Sequence, residues 1–161
     1  MKPLRVLVVD DSPVFRESLG EFLKQHSEIQ LVGAAASGRE AVKMVEELSP
    51  DLVIMDLIMP EMNGLEATRL IKAAPARRPK VILVTLHEPR PFAKAATNAG
   101  ADGFVRKADI PRLLFPMIRN LCLPAATNTG TPKPETPPDK DDPDHGPAGS
   151  ASGLSVLGAV L

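Results

Sequence analysis

Short apolar runs and amphipathic helical patterns take turns along the chain from Leu4 to Leu121, and this alternation limits the possible folds more than any other feature. Residues 4–9, 30–35, 52–55, 81–85 and 103–105 are continuous apolar runs rich in β-branched side chains. Such runs suit strands buried on both faces of a parallel sheet. Helical patterns fill the gaps. Ser12 followed by Pro13 has the form of an N-cap and a first helical position, and Phe15, Leu19, Phe22 and Leu23 then recur at helical spacing. Ala41, Val42, Val45 and Leu48 repeat the pattern, as do Leu65, Thr68 and Ile71. An alanine-rich helix is expected over about residues 91–99. A last one, from about Ile110, carries Leu113, Leu114, Met117, Ile118 and Leu121. Strict alternation of strand and helix predicts an α/β, doubly wound five-stranded parallel sheet with helices on both faces. Pro116 falls inside the last pattern, where it removes a hydrogen bond and crowds the preceding turn, so a kink or a restart is expected there.

The composition changes near Leu123. Residues 124–161 are dense in Pro, Gly, Ser, Thr and Asp, with a short apolar end, LSVLGAVL. Such a segment buries too little apolar surface to offset its ordering entropy. The expectation is a folded domain over residues 1–123 and a disordered tail over 124–161. That tail has two lysines, no arginine and five acidic residues, which suits neither a three-helix module nor a basic phosphate-binding face. The cluster Arg77, Arg78 and Lys80 reads as a solvated loop. Net charge is −1, which argues against a dominant role at nucleic acid or a membrane surface. One cysteine, Cys122, permits no intramolecular disulfide. His26, His87 and His145 lack metal-site spacing.

In sheets of this kind ligands bind beyond the carboxyl ends of the strands. The first run ends in Asp10 and Asp11, the third in Asp56 and the fourth in Thr85, and Lys107 lies just past the fifth. Each has a plain structural use, since aspartates favour helix N-termini and strand threonines are common. All five nevertheless fall on one edge. Three neighbouring carboxylates repel unless a cation sits among them, and oxygen ligands with room for water suit Mg²⁺. A cation held by carboxylates, with a lysine and a hydroxyl opposite, is a way to hold a phosphoryl group, and a carboxylate can itself be the nucleophile.

Asp10-Asp11, DLIMPEMNGLEA from Asp56 to Ala67, Thr85, and GADGFVRKAD from Gly100 to Asp109 together resemble the receiver domain of two-component response regulators, of the type often joined to a helix-turn-helix output domain. The resemblance covers about residues 3–123. It implies the flavodoxin-like strand order 2-1-3-4-5. It implies Asp56 as phosphoacceptor for a histidine kinase or phosphotransfer protein. Mg²⁺ would be held by Asp11 directly, Asp10 mostly through water, Asp56, and the backbone carbonyl of Ile58. Lys107 would pair with Asp56 and then with the phosphoryl oxygens, and Thr85 would hydrogen-bond the phosphate. Phe104 would be the aromatic switch. Pro60 and Gly64 would shape the loop after the acceptor, with Gly64 supplying a conformation other residues resist. Ile58 and His87 match positions that tune hydrolysis of the aspartyl phosphate, and Ile58, unable to orient water, implies slow loss.

Two departures stand out. Ala108 follows Lys107 where many receivers have a cis-linked proline, a geometry that costs about 3 kcal/mol without proline. Leu86 follows Thr85 where many have a smaller residue, which is expected to narrow access to the acceptor. The expected function is that of a stand-alone cytoplasmic receiver, not an enzyme with a substrate of its own. It would switch a protein-binding surface, with a possible homodimer through the fourth and fifth helical units. The alternatives are a phosphorylation-independent pseudo-receiver and a transcriptional regulator that has lost its DNA-binding domain.

Overall fold

A computed structural model describes residues 2–76 and 78–123. The tail, its apolar end and Arg77 lie outside the described residues. The elements alternate as β1 (Leu4–Val9), α1 (Pro13–Lys24), β2 (Ile29–Ala35), α2 (Gly38–Leu48), β3 (Leu52–Asp56), α3 (Gly64–Ala73), β4 (Lys80–Thr85), α4 (Arg90–Ala99), β5 (Gly103–Arg106) and α5 (Ile110–Cys122). The five strands are all parallel in the order β2-β1-β3-β4-β5. Connections between parallel strands need crossovers, and each of α1 to α4 supplies one.

Alternation within each strand divides the core. Val6, Val8, Leu52, Ile54, Ile82 and Val84 face Leu19 and Leu23 of α1 and Leu114 and Ile118 of α5. Leu7, Val9, Val53, Met55, Val81 and Leu83 face Ala41 and Val45 of α2, Ala67 and Ile71 of α3, and Ala96 of α4. β1, β3 and β4 therefore have no polar face, which is why their runs are continuous. Strand boundaries extend one residue beyond several sequence expectations, and β3 now includes Asp56 itself.

The helix starts follow local chemistry. Ser12 caps α1 by accepting from the Phe15 N–H, with Pro13 at the first position. Asn63 and Glu66 form a reciprocal capping box on α3. Of the kink or restart expected at Pro116, the restart does not occur, and α5 runs as one helix from Ile110 to Cys122. Pro116 and Arg112 both lie on the exposed side. The Arg112 carbonyl that loses its partner can therefore turn to water.

Gly64 also differs from expectation. The glycine at positive φ is Gly100, at the end of α4, and the positive φ in the loop after β3 belongs to Glu61 (φ 65). What Gly64 provides is space. A Cβ there would collide with the Asp56 carbonyl and lie 3.0 Å from the Leu57 Cα. The close approach lets the Gly64 N–H donate to the Leu57 carbonyl at 2.8 Å, setting α3 directly under the end of β3.

At the opposite, amino edge of the sheet, Asp102 joins three elements. It accepts from Lys72 Nζ at 2.6 Å, Lys80 Nζ at 3.3 Å and the Val81 N–H at 2.8 Å. Burial raises its pKa, but the Lys72 and Val81 hydrogen bonds and the two lysine charges outweigh this and hold it below the ordinary aspartate value. A folded-state pKa below the unfolded one contributes stability above the unfolded value, lost as pH falls through the folded one. Asp102→Asn should therefore lower stability by about 1–3 kcal/mol at pH 7. Denaturant titrations should show the deficit shrinking as acid protonates Asp102 in the natural chain.

Candidate functional site

The carboxyl ends of β1, β3 and β4 lie side by side because these strands are neighbours, and the residues following them converge. Asp10, Asp11, Ser12, Asp56, Ile58, Thr85, Leu86, His87 and Lys107 line one cleft of about 280 Å³. All the side chains expected to form the acceptor site are thus brought together. Carboxylate oxygens of Asp10, Asp11 and Asp56 all lie within 4.8 Å of one another. Asp10 is fully buried, Asp56 is 6% exposed, and Asp11 is exposed. Asp56 is thus less solvated than a residue at a strand's rim need be, since the strand continues through it.

Lys107 relieves part of the repulsion among these carboxylates. It lies at the start of a single 3₁₀ turn, Lys107–Asp109, that leads directly into α5. Its Nζ donates to Asp10 Oδ2 at 2.5 Å and to Asp56 Oδ2 at 3.3 Å. The resemblance implies pairing with Asp56; the structure adds a shorter bond to Asp10. Asp10 Oδ1 accepts from the Ser12 N–H at 2.8 Å. Asp56 Oδ1 accepts a long bond from the Ile58 N–H at 3.4 Å. Among the described residues no buried side-chain polar atom is left without a partner.

These contacts do not fully offset the cost of burying the Asp56 charge. Burial, and then the charge of Asp10, push its pKa above the ordinary value, while Lys107 and the Ile58 N–H pull it partly back. A buried carboxylate with a raised pKa beside two other carboxylates is suited to gaining a cation or a covalent partner. Three hard oxygen donors facing a solvent-accessible cleft fit Mg²⁺ among common metals, because that ion takes few protein ligands and keeps water.

Thr85 is buried, and its Oγ1 accepts from the His87 N–H at 3.1 Å. Leu86 lines the same cleft and is 73% exposed. Ile58 is also exposed, at 52%, and His87 is exposed. Phe104 is half-buried against the α2–α4 side of the core, on the strand adjoining β4. Two residues further along β5, Arg106 opposes Thr85 and bonds Glu88 at 2.7 Å and Asp109 at 3.0 Å.

Two contributors were not singled out in the sequence. Arg16 Nη1 donates to the Asp10 carbonyl at 2.6 Å, and the Phe15 ring lies under the Lys107 ammonium. Both sit one turn into α1, at the positions that the Ser12 cap turns back toward the end of β1. His26 belongs elsewhere: it stacks on Phe115 at 3.6 Å between ring centroids.

The all-parallel five-stranded order with an acidic cleft at its carboxyl edge defines a flavodoxin-like receiver fold. Residues 6–119 match the model of the response regulator receiver domain, and the chain belongs to that family. It is 44% identical over 108 residues to a protein-glutamate methylesterase/protein-glutamine glutaminase of Nocardioides sp. (66% of this chain, 30% of that protein). It is 44% identical over 105 residues to the response regulator GacA of Pseudomonas viridiflava (65% of this chain, 48% of that protein). The chain spans no more than about half the length of these curated relatives. Among solved structures, the response regulator domain of Thermotoga maritima CheB is similar with a TM-score of 0.66 at 33% identity, covering 73% of this chain and 96% of that one. Among the described residues no helix is long and apolar enough to cross a membrane.

Because ionised Asp56 is disfavoured in the folded state, its charge costs stability above its folded pKa, and the cost fades as pH falls and the group is protonated folded and unfolded alike. Asp56→Asn should therefore raise the thermal midpoint at pH 7 without divalent cations, by a gain on the order of 1 kcal/mol. Calorimetry from pH 7 downward should show the gain disappearing in acid.

Proposed function

We propose that Asp56 accepts a phosphoryl group from a phosphohistidine of a histidine kinase or phosphotransfer protein, and that the adduct switches a protein-binding surface in a cytoplasmic phosphorelay. The observation that supports this best is a buried Asp56 that lies among three clustered carboxylates and has a lysine already within 3.3 Å. An Asp56 carboxylate oxygen attacks phosphorus, the P–O bond forms, and the P–N bond breaks with its electron pair leaving on the imidazole nitrogen. Asp10, Asp11, Asp56 and the Ile58 carbonyl would hold Mg²⁺, which when bound supplies positive charge for the phosphoryl oxygens. Lys107, bonded to both Asp10 and Asp56, supplies a second positive charge beside the acceptor.

The response starts at Thr85. Its hydroxyl now accepts from His87, and turning toward a phosphoryl oxygen as donor releases that turn. The β4–α4 loop carries Glu88, which holds Arg106, so a shift there reaches β5 and the start of α5. New charge and acceptor oxygens at Asp56 are thereby read on the α4–β5–α5 side, where a partner or a second copy would dock.

Incubation with Mg²⁺ and a small phosphodonor such as acetyl phosphate should give an acid-stable, base-labile phosphoryl adduct. Asp56→Asn should abolish it, and a chelator should prevent its formation. No adduct, under conditions that label another receiver, would instead favour a phosphorylation-independent binding module. Ile58 is exposed at the cleft and offers no group to orient water. Ile58→Asn should speed phosphate loss several-fold in a time course with the donor removed, whereas an unchanged rate would show that this position is not limiting.

A further inference from the structure

The ammonium of Lys107 has three neighbours and only two are carboxylates. It lies over the Phe15 ring, 4.0 Å from the centroid, as well as bonding Asp10 and Asp56. The lysine side chain is 10% exposed, so the contact is largely desolvated, the condition under which an aromatic face holds a cation most strongly. Phe15 is itself fixed: it is half-buried, packs on the α1–α5 side of the core, and its N–H is held by the Ser12 cap. The ring is therefore placed against the core by the same turn that delivers Asp10 and Asp11.

The two carboxylates are unreliable holders of that ammonium during phosphoryl transfer. On the reading given above, both share their charge with a divalent cation, and one oxygen of Asp56 becomes covalently bonded to phosphorus. The face of a phenyl ring has no such competing partner. We infer that Phe15 is a positioning residue for phosphoryl transfer, its ring face seating the Lys107 ammonium beside Asp56 while the carboxylates exchange partners. A residue of similar volume without a π face would fill the core and leave the lysine free to swing toward water.

This inference rests on Asp56 being the acceptor, and the test separates the two. The full chain is prepared with phenylalanine, then mono-, di- and trifluorophenylalanine, at position 15. Fluorination withdraws electron density from the ring at nearly constant size, and thermal midpoints identify the variants that fold as the natural chain does. The readout is the initial rate of labelling by acetyl phosphate in Mg²⁺. The rate should fall stepwise with each fluorine, by a total between about 2-fold and about 30-fold. Phe15→Leu should be slowed at least as much as the trifluoro variant. A labelled natural chain with a flat fluorine series would overturn the seat and leave the acceptor reading standing. A natural chain that takes no label would remove both.

Discussion

A single ammonium group shares two buried carboxylates, and the rest of the site is arranged around that fact. Asp10 and Asp56 end neighbouring strands, so parallel pairing forces them together. Two like charges in a poorly solvated cleft are tolerable only with a cation between them. Lys107, brought from the far end of the domain by β5, supplies it. The balance remains incomplete, since Asp11 adds a third carboxylate at the open side and Asp56 keeps a raised pKa. An incompletely neutralised cluster is what makes the rim receptive to a divalent cation and then to a phosphoryl group.

The fold supports this by separating stability from reactivity. At the amino edge, Asp102 is surrounded by two lysines and a backbone donor, and its pKa is depressed. At the carboxyl edge, Asp56 has weaker support and its pKa is raised. The two aspartates differ in role because their environments differ. The core between them is packed on both faces.

Much of this was legible in the sequence because it follows from local patterns. Unbroken apolar runs marked strands, Ser12-Pro13 marked a helix start, and polar residues at run ends marked the rim. What was not legible depended on three-dimensional neighbours. Phe15 reads as one member of an apolar helical stripe, and nothing in its spacing reveals a lysine far along the chain lying over its ring. Gly64 reads as a conformational glycine, yet it is excluded volume against the Asp56 carbonyl that fixes its identity. Pro116 reads as a helix breaker, but its place on the exposed side of α5 lets the helix continue. The preference of Lys107 for Asp10 over Asp56 is a matter of distances that no motif encodes.

If Lys107 occupies the position of the missing positive charge, it competes with a divalent cation for the same carboxylates. Replacing it with methionine keeps a long unbranched stem and removes the charge. The most direct measurement is therefore a calorimetric Mg²⁺ titration of the natural chain and of Lys107→Met at pH 7 and low salt. Tighter binding by Lys107→Met, lost again when Asp56→Asn is added, is the predicted result. Weaker or unchanged binding by Lys107→Met would contradict the charge-balance account.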